Sequence, residues 1–334
     1  IPFFNPRIFK GDWMAGGTEA WLTGQYKGMS NSKVNSLTIS PDYGYFITNR
    51  LAGGLRLSYT KYDQPNQSTS NNYSEFQLAP YLRYYFLPAT NKTNILGDIS
   101  YGFGSEGAGN KESFNYFGVM AGPSFFLNQN TGLEVLGMYK TWGGDAYPDR
   151  ENEFGLWVGF QNHLRCHERS SWTPQVGKGD WLAGGDLWYS SSSLSGVSNS
   201  RTNYFTADPE LGYFFRTGLA GGLKLGYSST KVQSANDAYT NFSAEPFFRY
   251  YLLPEKNHVN LFGELGYGFG SEGQGTKESY NFWEVKAGPA FFLSPHTSLG
   301  AALNYRSYGG DGYSTKYNQF GISVEYQVHL GGKF

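Results

Sequence analysis

The chain has 334 residues, with 26 Lys and Arg against 27 Asp and Glu, a formal net charge of −1, 18% aromatic residues and a lone cysteine, Cys166. That balance offers no electrostatic footprint for nucleic acid, and one cysteine excludes both a disulfide framework and a Cys-based metal site. Mean hydropathy is −0.48, and no apolar run approaches the roughly 18 residues that a transmembrane helix needs; a transmembrane barrel stays open, because only alternate residues of its strands must be apolar.

Read in order, the chain breaks into alternating segments at roughly 12–24, 35–47, 51–62, 75–87, 95–104, 115–127, 132–142 and 154–164. A second series follows at roughly 180–190, 203–215, 219–230, 240–253, 259–270, 280–293, 298–308 and 319–330. Clusters of Gly, Asn, Ser, Asp or Pro separate them, and no helical period competes. The two series are related. Gly97–Leu127 and Gly263–Leu293 are identical at about 20 of 31 positions, the mark of an internal repeat. Lys10-Gly-Asp-Trp-Met-Ala-Gly-Gly17 matches Lys178-Gly-Asp-Trp-Leu-Ala-Gly-Gly185, and Arg83-Tyr-Tyr-Phe-Leu-Pro88 matches Arg249-Tyr-Tyr-Leu-Leu-Pro254. Leu51-Ala-Gly-Gly54 matches Leu219-Ala-Gly-Gly222, and Trp142-Gly-Gly-Asp145 matches Tyr308-Gly-Gly-Asp311. We therefore expect a first eight-stranded repeat over 1–164, a connector over 165–177 and a second eight-stranded repeat over 178–334.

Alternation gives each strand two faces. In the fourth, Phe76, Leu78, Pro80, Leu82, Tyr84 and Phe86 oppose Gln77, Ala79, Tyr81, Arg83 and Tyr85. A soluble sandwich would turn the apolar face inward; a membrane barrel turns it outward, to lipid. Three features favour lipid. Aromatics bracket the apolar band at both ends, with Tyr45, Phe86, Phe125 and Tyr213 before short turns and Tyr101, Phe103, Tyr227 and Tyr267 before longer loops. Connections alternate, short at Thr48-Asn-Arg50 and longer at Gln64–Ser74 and Ser105–Ser113. The opposite face repeatedly carries charge in mid-strand. The last strand, ending Val328-His-Leu-Gly-Gly-Lys-Phe334, has the alternation and terminal aromatic of a barrel-assembly signal.

With G-D-W-x-A-G-G in the first strand, P-x-x-G-Y-F in the second and R-Y-Y-x-L-P in the fourth, each half resembles the small OmpA/OmpW-like eight-stranded outer-membrane β-barrel domains of Gram-negative bacteria. The resemblance implies an all-β, transmembrane, antiparallel up-and-down barrel in the bacterial outer membrane. It further implies termini in the periplasm, a signal peptide removed ahead of Ile1, and partners in the lipid bilayer and, through the strand ending at Phe334, the barrel-assembly machinery. The doubling departs from the family. Sixteen strands could close into one barrel, or each half could close alone into a separate eight-stranded barrel. Gly44, Gly54, Gly102 and Gly122, with Met120, Leu136, Met138 and Trp157, suit small filled lumens. The single terminal assembly signal and the wetter second half favour one sixteen-stranded barrel, which is the expectation carried forward.

The inward charges are the candidate functional residues: Asp42, Arg56, Arg83, Asp98, Glu134, Lys140, Asp186, Asp208, Glu210, Lys224, Glu245, Arg249, Glu264, Glu284, Lys286, Arg306 and Glu325. Around one wide lumen they would tune conduction of small polar solutes; in two narrow ones Arg83, Asp98, Glu134 and Lys140 would be a paired plug. No enzyme is expected. All five histidines (His163, His167, His258, His296 and His329) fall at the turn end, and no Ser/His/Asp set is suggested. The recurring Gly104-Ser-Glu-Gly107 and Gly143-Gly-Asp145 loops could hold a hard cation, but polar turns kept alike by duplication account for them, so neither metal nor cofactor is assigned. The function expected is a porin-like passive channel, the alternative a non-conducting structural or surface-binding barrel protein.

Overall fold

The computed structural model describes residues 4–27, 32–64, 72–164 and 172–331. The connector's Cys166 and His167, the middle of the Gln64–Ser74 loop and the terminal Phe334 lie outside them. The strands are β1 Trp13–Tyr26, β2 Val34–Thr48, β3 Leu51–Asp63, β4 Tyr73–Tyr85, β5 Thr93–Gly107, β6 Glu112–Phe126, β7 Thr131–Gly143 and β8 Glu151–Leu164. They continue as β9 Trp181–Gly184, β10 Leu187–Leu194, β11 Thr202–Ala207, β12 Glu210–Arg216, β13 Leu219–Val232, β14 Tyr239–Tyr251, β15 Val259–Gln274, β16 Glu278–Ser294, β17 Thr297–Gly309 and β18 Tyr317–Leu330. All pair antiparallel in one closed sheet. Two staves are interrupted, β9/β10 and β11/β12, so eighteen strands make sixteen staves. The alternation had implied unbroken strands there.

The breaks explain how the sheet closes. Toward the loop end β1 pairs with β18, from Glu19↔Val324 to Tyr26↔Tyr317, and β10 pairs with β8, from Leu187↔Val158 to Leu194↔Glu151. Those two seams make a single sixteen-stave ring. Toward the turn end the partners change. Trp13–Ala15 of β1 pair with Asn162–Leu164 of β8, while β9 pairs with Val328–Leu330 of β18. Each half therefore closes on itself at that end, and the ring divides into two eight-stave lobes. The change of partner falls at Gly17 and Gly185, whose φ values of +113° and +83° suit glycine alone. A Cβ on Gly17 would stand 2.1 Å from the Ser40 carbonyl, and one on Gly185 1.9 Å from that of Asp208. The A-G-G motif and the facing Pro41 and Pro209 thus build a fork. The single barrel expected from the sequence describes the wide end, and the two-barrel alternative describes only the narrow end.

Side-chain direction follows the alternation. Leu82, Ile99, Leu211, Leu265, Leu303 and Ile322 face outward in mid-strand, with Tyr45, Phe86, Phe125, Tyr213 and Phe291 toward the turns and Tyr101, Phe103, Tyr227, Tyr267 and Phe269 toward the loops. Leu265 is 58% and Phe248 62% exposed, an outer apolar surface that water would not tolerate over a whole barrel. Among the described residues no helix is long and apolar enough to cross a membrane; the staves do so. One connection is tighter than the sequence implied. Ser105 pairs with Ser113 and Glu106 with Glu112, so the expected Ser105–Ser113 loop is mostly strand. Gly107 (φ +142°) lets the chain turn against the Asn110 carbonyl, where a Cβ would meet oxygen at 2.3 Å.

Each lobe has its own core at the turn end. The first packs Ile8, Met14, Phe46, Tyr81, Tyr85, Leu96, Phe126 and Leu136; the second packs Val176, Leu182, Phe214, Phe247, Tyr251, Phe262 and Phe292. At about 1.5–3 kcal/mol for each large side chain, these cores are the chief apolar stabilisation inside the barrel. The segments leading into β1 and β9 cap them: Arg50 N–H donates to Ile8 O, Gly11 N–H to Phe46 O, Gly179 N–H to Phe214 O and Gly218 N–H to Val176 O. The lobes meet at Thr131 and Thr297, whose hydroxyls lie 3.2 Å apart.

Candidate functional site

The inward charges do not line an even ring; they gather into two groups, one in each lobe above its core. In the first, Arg83 Nε lies 3.0 Å from Asp98 Oδ2 and Arg83 Nη1 3.0 Å from Glu134 Oε2. Arg56 bridges outward, with Nη2 2.7 Å from Asp98 Oδ2 and Nε 3.0 Å from Asp42 Oδ2. Arg56 also lies 4.0 Å from the centre of the Tyr81 ring. Arg83, Asp98 and Glu134 are buried, so pairing is what makes their burial tolerable. Tyr85 completes this group by donating to Glu134 Oε1 at 3.1 Å.

In the second lobe Arg249 is the centre. Its Nε donates to Glu264 Oε2 at 2.6 Å and its Nη1 to Gln327 Oε1 at 2.7 Å, while Nη2 reaches Glu325 at 3.2 Å and Glu210 at 3.5 Å. Lys224 reaches Glu264, and also Glu245 at 3.6 Å and Glu284 at 3.5 Å. Glu245, Glu264 and Glu284 converge closely enough to suggest a metal site, but the Lys224 ammonium already stands among the three carboxylates. Lys286 pairs with Glu284 and Glu325, and Arg306 with Glu284 at 2.9 Å and Glu245 at 3.4 Å.

Three of the sequence-derived candidates stay out of these networks. Asp186 and Asp208 flank the fork in the second half, where the Asp186 N–H donates to Asp208 Oδ1 at 3.1 Å. Lys140 was expected in the first-lobe plug beside Arg83, Asp98 and Glu134. It instead points among rings, with Nζ 5.3 Å from Tyr116, 5.4 Å from Trp142 and 5.7 Å from Trp188. The rings were missed as functional residues. Their signal was available, since Trp188 stands where the first half has Ala20 in the matched G-D-W-x-A-G-G strand.

Above the two groups lies one cavity of about 890 Å³. Both halves line it, with Asp42, Arg56, Lys140 and Trp157 on one side and Asp186, Asp208, Lys224, Glu245, Lys286 and Arg306 on the other. Below it each lobe is filled, first by ion pairs and then by the apolar core. His163 and His329 belong to those fillings: each is fully buried, packed on Phe126 and Phe292 respectively. His258 stacks on Trp172 at 3.9 Å in a turn. The repeated loop motifs tie neighbouring loops together, through Ser113 to Asp145 at 2.6 Å and Ser279 to Asp311 at 3.0 Å.

A closed antiparallel sheet with an apolar exterior, aromatic bands at both ends and a polar, ion-paired interior defines a transmembrane β-barrel. Residues 171–327, most of the second half, match the outer membrane protein beta-barrel domain family. Similar solved structures include a bacterial polysaccharide outer membrane secretin, at 7% identity and TM-score 0.50 over 97% of this chain and 99% of that one. OpdK of Pseudomonas aeruginosa is similar at 13% identity and TM-score 0.37, over 96% and 100% of the two chains. OccAB4 of Acinetobacter baumannii is similar at 10% identity and TM-score 0.38, over 98% and 100%. At such identities the first likeness speaks for the fold alone. No curated protein matches the chain in sequence.

Proposed function

We propose that this is a porin-like outer-membrane protein, without catalytic activity, that admits small polar solutes to a vestibule shared by its two halves. The observation that carries the reading is the cavity of about 890 Å³, lined by charged side chains from both halves within one sixteen-stave ring. Mixed charge on that wall suits hydrated solutes better than apolar ones. The turn end, with the termini, faces the periplasm in this reading, and the vestibule opens to the outside. The halves are copies of one eight-stranded unit, 1–164 and 178–334, joined by a connector over 165–177. The last strand is the handle for assembly, and a signal peptide precedes the mature chain.

The filled lobes favour a second reading, a non-conducting barrel that holds solutes without passing them. The two differ in whether the ion-paired fillings rearrange. Planar-bilayer recording of the purified protein separates them. The channel reading predicts stepwise openings in the wild type, with a mild cation preference from ten acids against seven bases among the inward charges. Complete absence of openings over the voltage range at which the bilayer survives would end it.

A further inference from the structure

The two halves, aligned through their matched motifs, act as controls for each other. Lys140 aligns with Arg306, and both project from the same height of β7 and β17 into the shared cavity. Arg306 is neutralised by Glu284 and Glu245. The first-half positions that align with those two acids are Gly118 and Ala79; the carboxylates that act on Lys140 are instead Glu153 and Glu75, where the second half has Gln319 and Asn241. Among the described residues Lys140 forms no ion pair. Its cross-strand neighbour is Glu153, and its close surroundings are Tyr116, Trp142 and Trp188. The seam beside it differs in the same sense. Trp157 and Trp188 face each other across β8 and β10, where the other seam pairs Ser323 with Ala20. One half holds its cation in ion pairs; the other keeps Glu153 and Glu75 beyond ion-pair contact and sets aromatic rings around the ammonium.

We propose that this wall of the vestibule is a binding site for a sugar acid, a deepening that rests on the vestibule reading above. The chemistry assigns each part. Lys140 takes the carboxylate, forming the close charge-assisted contact that no described carboxylate makes with it. Trp157 and Trp188 offer flat apolar faces to the C–H side of a sugar ring. Asp186, which follows the fork Gly185 and lines the same cavity, accepts hydroxyl hydrogens. That carboxylate disfavours an anion lacking hydroxyls, because it meets such a ligand with like charge and no hydrogen to accept.

The test is equilibrium binding by titration calorimetry on the whole protein folded in detergent, with galacturonate, galactose and benzoate as probes. Galacturonate is expected to bind at least about tenfold more tightly than galactose, the scale of one charge-assisted hydrogen bond. Lys140→Met should abolish that preference, Lys140→Arg should keep most of it, and Trp188→Ala, which installs the residue of the aligned position, should weaken galacturonate several-fold. Heat-modifiable migration identifies any variant that has not folded, and Trp188→Ala and Lys140→Arg keep the test decisive if Lys140→Met is such a case. Galactose binding as well as galacturonate, or folded Lys140→Met binding like wild type, overturns the assignment. Benzoate binding as tightly as galacturonate overturns the sugar and leaves only an anion site. Binding does not depend on conduction, so a silent bilayer leaves this inference standing, and absent binding leaves the channel reading standing.

Discussion

Arg249→Leu tests the second-lobe network where it is most concentrated. Arg249 is 1% exposed and serves Glu264, Glu325, Glu210 and Gln327 at once. Leucine fills much of the space but leaves five carboxylates (Glu210, Glu245, Glu264, Glu284 and Glu325) facing Lys224, Lys286 and Arg306. Removing one partner of a buried pair typically costs about 3–5 kcal/mol, because the survivor is left charged and poorly solvated. We expect a loss in that range, measured by urea unfolding in liposomes with tryptophan fluorescence and heat-modifiability as coincident probes. The double variant Arg249→Leu with Glu264→Leu should recover more than half of it, since Lys224 keeps Glu245 and Glu284. Arg249 and Glu264 would then show a coupling of at least about 1.5 kcal/mol. A loss below about 0.5 kcal/mol for Arg249→Leu, or a double variant no better than the single, would refute a desolvated, ion-paired filling and favour a hydrated lumen.

Other expectations concern the outer face and the fork. Leu265→Arg places a charge in mid-strand on the lipid face and should cost about 2–4 kcal/mol near the bilayer midplane, read by the same unfolding assay. A neutral result would argue that this face meets water. Gly185→Ala forces a side chain into left-handed backbone against the Asp208 carbonyl. Left-handed backbone alone costs about 1–2 kcal/mol, and the overlap adds to it. Gly263→Ala, with open space around its Cβ, should stay within about 0.5 kcal/mol of wild type; equal effects at the two positions would remove the special role given to the fork.

Much of this was legible in the sequence because membrane strands alternate strictly. Phe76 to Phe86 and Ile99 to Phe103 reveal their faces by period alone, and the bracketing aromatics identify the lipid. Closure was less legible. Alternation says which way a side chain points but not which strand lies beside β1, and β1 has two neighbours at different heights, β8 and β18. The sign of the fork was present in Gly17, Gly185, Pro41 and Pro209, yet a glycine next to a proline-bearing strand reads equally well as a bulge. The candidate charges were found because carboxylates and bases in mid-strand are costly and therefore conspicuous. Their partition was not, since pairing across three or four staves, as from Arg83 to Glu134, depends on barrel diameter. Lys140 shows the limit most clearly: its own strand resembles that of Arg306, and what sets it apart lies on other strands, at Ala79, Gly118, Trp157 and Trp188.

One ring of sixteen staves divides into two lobes, and paired-cysteine cross-linking reads that division at both ends of the barrel. In a Cys166→Ser background, cysteines at Ser192 with Glu153 and at Thr23 with Phe320 bridge the wide-end seams. Cysteines at Ala15 with Asn162 and at Ala183 with Val328 bridge the narrow-end closures. Register partners in an antiparallel sheet lie about 4.5–5.5 Å apart at Cα, within disulfide reach. All four pairs should oxidise in the folded protein. Oxidation of the wide-end pairs alone would make the molecule one barrel throughout, oxidation of the narrow-end pairs alone would make it two, and either result would contradict the fork.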